Sequence, residues 1–196
     1  MSAALQNQWT EEQFLDWAAS RDEPYEFDGF RPVAMTGGNG DHDTITTNIA
    51  IALRRRLDGT ACSSWGPNLG IRTIRGRIRY PDSLITCTKF RGGERIAPDP
   101  RVVFEVVSPT SVRMDRMLKV REYQAVPSIL RYLIVESASP TVMALHRQSG
   151  ADPWTLTPLD IDDPMPLPEV GIEIQVAEIY ARIEFPVLPE LEQEAR

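Results

Sequence analysis

Arg101-Val102-Val103-Phe104-Glu105-Val106-Val107 is the stretch that decides the fold. In an extended backbone alternate side chains point to opposite faces. Glu105 therefore shares a face with Val103 and Val107, while Phe104 and Val106 take the other. Both faces are apolar, which predicts a central strand buried on two sides. An ionised glutamate there carries a desolvation cost of several kcal/mol. A bound divalent cation is one compensation, since hard cations prefer carboxylate oxygens. An arginine partner, or a place at the strand mouth, is the other.

Upstream, Tyr80-Pro81-Asp82-Ser83-Leu84-Ile85 sets a second acid in a strand-like run over 78–87. Pro81 cannot donate to a sheet ladder, so the strand is irregular or on an edge there. Such an irregularity can re-aim the next side chain toward a site. Asp82 also reads as an ordinary turn residue after proline. Downstream comes Lys119, one of two lysines against 19 arginines. Where basic positions are nearly all arginine, a lysine points to a need for a compact, titratable ammonium. Such a group can orient a water or offset developing negative charge. Asp115, four residues earlier, also makes a favourable helical ion pair with it, worth about 0.3–0.5 kcal/mol.

Outward from these segments the pattern alternates between helices and strands. Thr10 and Gln13 form a capping box for a helix over 11–19, with Trp9 and Phe14 placed as a hydrophobic staple. Tyr25 to Met35 reads as a hairpin turning at Asp28-Gly29. Ile45, Ile49, Leu53 and Leu57 recur every four residues and predict a helix over 43–57. Strands are expected over 62–73, 78–87 and 101–107, then a helix from Ser108-Pro109 to about Ala125. Strands over 131–136, 142–147 and 154–159 follow. Proline-rich turns at Pro164, Pro166 and Pro168 lead to a strand over 170–174 and a last helix over 176–183. The order suits one α/β domain with a mixed sheet flanked by helices. Its core spans about residues 10–185, and residues 186–196 form an acidic tail.

The chain has 196 residues, 42% of them hydrophobic, enough for a real core. No run approaches the ~20 apolar residues of a membrane span. Met1 to Trp9 lacks the pattern of a secretory signal, so the cytoplasm is expected. Cys62 and Cys87 stand apart, without metal-site spacing. A disulfide is possible, and reduced thiols are the stronger expectation. Net charge is −7, which opposes indiscriminate nucleic-acid binding. Residues 54–121 hold 15 Lys/Arg against 6 Asp/Glu, whereas residues 151–196 hold 2 against 11. The first excess reads either as a basic face around the acids or as solvated surface charge. Arg72, Arg75, Arg77 and Arg79 carry the same two readings, phosphate contact or a charged edge strand. For Glu26 a surface position at a strand end is favoured over an auxiliary acid. His42, near a helix start, is expected to be structural.

Tyr80-Pro81-Asp82, then Phe104-Glu105-Val106-Val107-Ser108-Pro109, Asp115, Lys119, Tyr123 and Arg131-Tyr132-Leu133-Ile134-Val135 resemble the Uma-type putative restriction endonuclease family of the PD-(D/E)XK nuclease superfamily. Tyr25-Glu26-Phe27-Asp28-Gly29 extends the likeness to about residues 10–185. The resemblance implies a restriction-endonuclease-like core and a metal-dependent endonuclease acting on nucleic acid, with DNA the expected substrate. It implies Mg²⁺ or Mn²⁺ held by Asp82, Glu105 and the main-chain carbonyl of Val106, with Lys119 as third catalytic residue. One departure stands out. The superfamily's strand lysine is replaced by Val107, and Lys119 on the next helix is the matching residue. A homodimer is expected by analogy, because such nucleases often cut two strands by symmetry. Two other classes remain open: an inactive nuclease-fold binding module, and an interaction protein in which the acids pair with buried arginines.

Overall fold

The computed structural model describes residues 9–35, 37–89, 93–108 and 113–185, with side chains in the last stretch described from Arg116 onward. The expected Asp115–Lys119 ion pair, the start of the helix at Pro109 and the acidic tail after Pro186 lie outside these residues.

The chain opens with α1 (Glu11–Ala18), a hairpin of β1 (Tyr25–Phe27) and β2 (Pro32–Ala34), and the long α2 (Gly40–Leu57). Then come β3 (Ser63–Trp65), β4 (Ile71–Arg72), β5 (Ile78–Arg79), β6 (Ser83–Thr86) and β7 (Pro100–Val107). Helix α3 (Arg113–Gln124) precedes β8 (Arg131–Glu136), β9 (Val142–His146) and β10 (Thr155–Leu159). The chain closes with β11 (Pro164–Leu167), β12 (Ile172–Gln175) and the short α4 (Val176–Ile179).

A six-stranded mixed sheet runs β10-β9-β8-β7-β6-β3. All its pairings are antiparallel except β7 with β8, where Glu105 lies opposite Ile134. Parallel neighbours cannot be joined by a tight turn and need a crossover. Here the crossover is α3, which returns across the sheet face that carries Glu105. Val103 and Val107 pack on that face with Tyr123, Tyr132 and Ile134. Phe104 and Val106 pack on the opposite face with Ile45, Ile49, Leu53 and Leu57 of α2. The two-sided burial expected of this strand is therefore present, and the expected mixed sheet flanked by helices is the observed fold.

A second sheet, β2-β1-β5-β4, lies beside the first. The predicted continuous strand over 78–87 is instead split between the two sheets. β5 belongs to the small sheet and β6 to the large one, with Tyr80-Pro81-Asp82 passing between them. Pro81 has no N–H to keep a ladder going, and the chain changes sheet at that point. The hairpin turn is as expected: Asp28 Oδ1 accepts hydrogen bonds from the N–H groups of Phe30 (2.8 Å) and Arg31 (2.7 Å). Gly29 has φ +85°, and a Cβ there would stand 2.8 Å from the Arg75 carbonyl oxygen.

Three other expectations need correction. Pro164–Leu167 is a strand rather than a turn, paired only with β12 in a two-stranded ribbon whose free edge tolerates the missing proline N–H groups. The last helix is a single turn, Val176–Ile179. Cys62 and Cys87 do not stand apart: Ser63 pairs with Thr86, which sets the two cysteines opposite each other, and they form a disulfide. Among the described residues no helix is long and apolar enough to cross a membrane.

Candidate active site

The two acids meet because β7 ends beside the inter-sheet crossing. Asp82 Oδ2 accepts a hydrogen bond from the Val106 N–H at 2.7 Å. This contact ties the Tyr80-Pro81-Asp82 crossing to the strand that carries Glu105. On the other side of Asp82, His42 Nε2 lies 3.3 Å from Oδ1. His42 sits in the first turn of α2, whose N-cap is Asn39; the Asn39 side chain accepts from the His42 N–H at 3.0 Å. The hydrogen bond to Asp82 holds the His42 imidazole above its ordinary pKa, against the opposing effect of burial.

Glu105 is 6% exposed. Tyr123, on α3, donates its hydroxyl proton to Glu105 Oε1 at 2.7 Å. Lys119, one helical turn earlier, places Nζ 3.3 Å from both Glu105 oxygens and 3.1 Å from Glu26 Oε1. Burial pushes the Glu105 carboxyl up to about 7; Lys119 opposes the shift, and the charges of Asp82 and Glu26 add to it. Burial and the nearby Glu105 charge raise the Tyr123 hydroxyl as well.

Glu26 is buried at the site, not on the surface as its place in a short hairpin strand suggested. A three-residue strand gave no burial signal, and the partner that draws Glu26 inward lies 53 residues away. That partner is Arg79, 4% exposed, which holds Glu26 Oε2 at 2.5 Å and reaches Glu122 Oε2 at 2.6 Å and Oε1 at 3.0 Å. Arg77 also pairs with Glu122. Arg77 and Arg79 are thus engaged inside the fold, whereas Arg72 is exposed on β4, an edge strand of the small sheet, as the charged-edge reading expects. Period-two spacing shows which residues share a face but not that a helix bearing Glu122 covers that face. Ion pairs also occupy Arg56 (to Glu178), Arg72 (to Glu11), Arg95 (to Asp16), Arg101 (to Asp99) and Arg116 (to Glu136). Among the described residues, eight of the basic side chains in 54–121 are thus engaged in ion pairs, some buried and some at the surface.

Asp82, Glu105, Val106, Lys119, Glu26 and His42 all border one cleft of about 300 Å³. Among the described residues no three His, Cys, Asp or Glu side chains converge closely enough to form an ion site on their own. The donor chemistry nevertheless suits a hard cation: two carboxylates flank the cleft, and Glu26 Oε1 is a buried oxygen that accepts no hydrogen bond among the described residues and lies 3.1 Å from Lys119 Nζ.

A family model described as Uma2, putative restriction endonuclease, matches residues 11–177. The chain belongs to the Uma2 family. An uncharacterized Synechocystis protein is 28% identical over 176 residues, covering 89% of this chain and 92% of that one. A crystal structure of a putative nuclease from Anabaena variabilis superposes with a TM-score of 0.68 at 14% identity, covering 88% of this chain and 97% of the other. The Uma2 assignment agrees with the resemblance read from the motifs, and the superposition shows a shared fold.

Proposed function

We propose that the protein is a metal-dependent endonuclease that hydrolyses phosphodiester bonds, with DNA as substrate and Asp82, Glu105 and Lys119 as its catalytic residues. The observation that carries this reading is the approach of Lys119, from the crossover helix, to both oxygens of a buried glutamate that lines the same cleft as Asp82. An inert buried acid needs only a partner, and Tyr123 already supplies one. A second, cationic partner open to a cleft is what phosphoryl chemistry requires.

Asp82, Glu105 and the Val106 carbonyl would hold Mg²⁺ or Mn²⁺. Such a cation, when bound, activates water and neutralises phosphate charge. The other roles fall to the chain's own side chains. Loss of the Glu105 proton, at about pH 7, makes its carboxylate available as a ligand. His42 and the Val106 N–H fix the orientation of Asp82. Lys119 orients the attacking water and offsets the negative charge that grows on the non-bridging oxygens as one P–O bond forms and the other breaks. Glu26 pairs with Lys119 and holds it in place, and Arg79 anchors Glu26. The reading further takes the chain as one domain in the cytoplasm, pairing as a homodimer where two strands are cut.

Calorimetric titration with Mn²⁺ tests the proposal without a guess at the substrate. Wild type should bind and Glu105→Gln should not. Absence of binding to wild type at millimolar metal would remove the metal-nuclease reading.

A further inference from the structure

A second cavity, of about 570 Å³, opens directly from the candidate active site and shares Met35, His42 and Tyr80 with it. Tyr25, Tyr80 and Pro67 are among the residues that line this groove, and Asn68, Arg21 and Arg95 add polar groups. Trp9, Trp17 and Tyr25 form an edge-to-face run with centroids 5.4 and 4.7 Å apart, in which Trp17 packs against the Tyr25 ring. Arg21 lies over the Trp17 ring, and Arg95 is tied to the Leu15 carbonyl and to Asp16. Asp22 and Glu23 line the groove as well, so its two arginines are balanced by two acids. A wall of that kind does not select a run of phosphates. It suits an uncharged, planar group that stacks and hydrogen-bonds.

The reactive groups are also recessed. Side-chain exposure is 18% for Asp82, 8% for Glu105 and 15% for Lys119. A phosphate on the rigid surface of a duplex must reach the floor of a 300 Å³ cleft, and the two arginines that line it, Arg79 and Arg116, are already paired with acids. An unpaired strand can bend into the cleft and turn its neighbouring base aside.

Resting on the nuclease reading above, we infer that the substrate is single-stranded nucleic acid, and that the unstacked base beside the scissile phosphate enters this groove and stacks on Tyr25 and Tyr80. Stacking on aromatic side chains is the usual means of holding single strands without sequence preference. One copy of the chain is then sufficient for a cut.

The test uses a fluorescein-labelled strand of about 12 nucleotides of mixed sequence, alone or annealed to its complement, with Ca²⁺ as the divalent ion and anisotropy as the readout. The single strand should bind about tenfold more tightly than the duplex, and Tyr25→Ala should weaken single-strand binding by about tenfold while leaving duplex binding unchanged. Should that variant fold poorly, wild type irradiated with a strand carrying one 5-iododeoxyuridine should give adducts at residues 21–25 or at Tyr80. Equal or tighter duplex binding, or adducts confined to other segments, would overturn the assignment. Cleavage with Mn²⁺, lost in Glu105→Gln, separates the two levels. A Glu105-dependent nuclease that prefers duplex overturns the groove assignment alone, and no cleavage of either form overturns both.

Discussion

Lys119 Nζ stands 3.3 Å from each carboxylate oxygen of Glu105, although one residue lies on a helix and the other on a central strand. The relationship exists because β7 and β8 are parallel. The connection between them must cross the sheet, and α3 brings its lysine back over the strand it has just left. Replacing Lys119 by Met removes the charge but keeps most of the length. Cleavage should fall by at least ~100-fold, the usual worth of a positioned proton-transfer or charge-stabilising group. Mn²⁺ affinity measured by calorimetry should not weaken, because Lys119 competes with the cation for Glu105.

Asp82→Asn separates fold from function at the second acid. The amide oxygen can still accept the Val106 N–H, so thermal stability should stay close to wild type. Mn²⁺ binding should be lost, since a neutral amide is a poorer ligand than a carboxylate. A variant that unfolds instead, seen as a large drop in Tm, would show that Asp82 serves mainly to join the two sheets.

Glu105 should make the protein less stable as pH rises. Its folded pKa, about 7, lies above the ordinary value of 4.5, so between these values the native state binds more protons than the unfolded state. Stability must then decline with rising pH across that window and level off above it. Glu105→Gln cannot ionise and should lose this decline. Urea unfolding at pH 5 and pH 8 checks the sign: the variant should gain on wild type at the higher pH. His42, also raised, loses its contribution as pH climbs past its folded value, so the comparison is best repeated in a His42→Gln background.

Arg79 is buried between Glu26 and Glu122, and Arg79→Ala leaves both acids short of a partner. Stability should fall by about 3–5 kcal/mol, the range for breaking a buried ion pair. Glu122→Gln, which keeps a hydrogen-bond acceptor, should cost less. Urea unfolding of the two variants gives the comparison, and equal costs would show that Glu122, not Glu26, is the partner that matters.

Thiol titration in denaturant without reductant should find no reactive cysteine, because Cys62 and Cys87 are joined. Their sequence separation of 25 corresponds to a stabilisation of about 3.5 kcal/mol by loop closure. Reduction should lower the unfolding midpoint accordingly. Two free thiols in protein purified under air would contradict the bond.

The motifs that could be read from the sequence were those whose neighbours in sequence are also their neighbours in space. The capping box of Thr10 and Gln13, the apolar stripe of α2 and the two-faced burial of β7 all have that property. Asp82 and Lys119 were already picked out by their local context, the likeness to Uma2 proteins gave them roles, and the structure sets both near Glu105. Glu26 and Arg79 were misread, and the partner of His42 went unseen, for one shared reason. Each is defined by a partner at least 40 residues away, and nothing in a local window shows that His42 faces Asp82 or that Arg79 faces Glu122. The cysteines were missed similarly, since strand register rather than spacing brings them together.

Carrying the lysine on α3 has a mechanical corollary. The carboxylates are placed by the sheets, whereas the ammonium is placed by a helix held through Glu122, Tyr123 and Arg116. Any fluctuation that lifts α3 from the sheet removes the cation and exposes the acids in one movement, while β7 keeps its neighbours on both sides. Hydrolytic competence would then vary with how well this one segment is seated, long before the chain as a whole unfolds. Amide hydrogen exchange within 116–124 would register that loosening ahead of any change in the central strands.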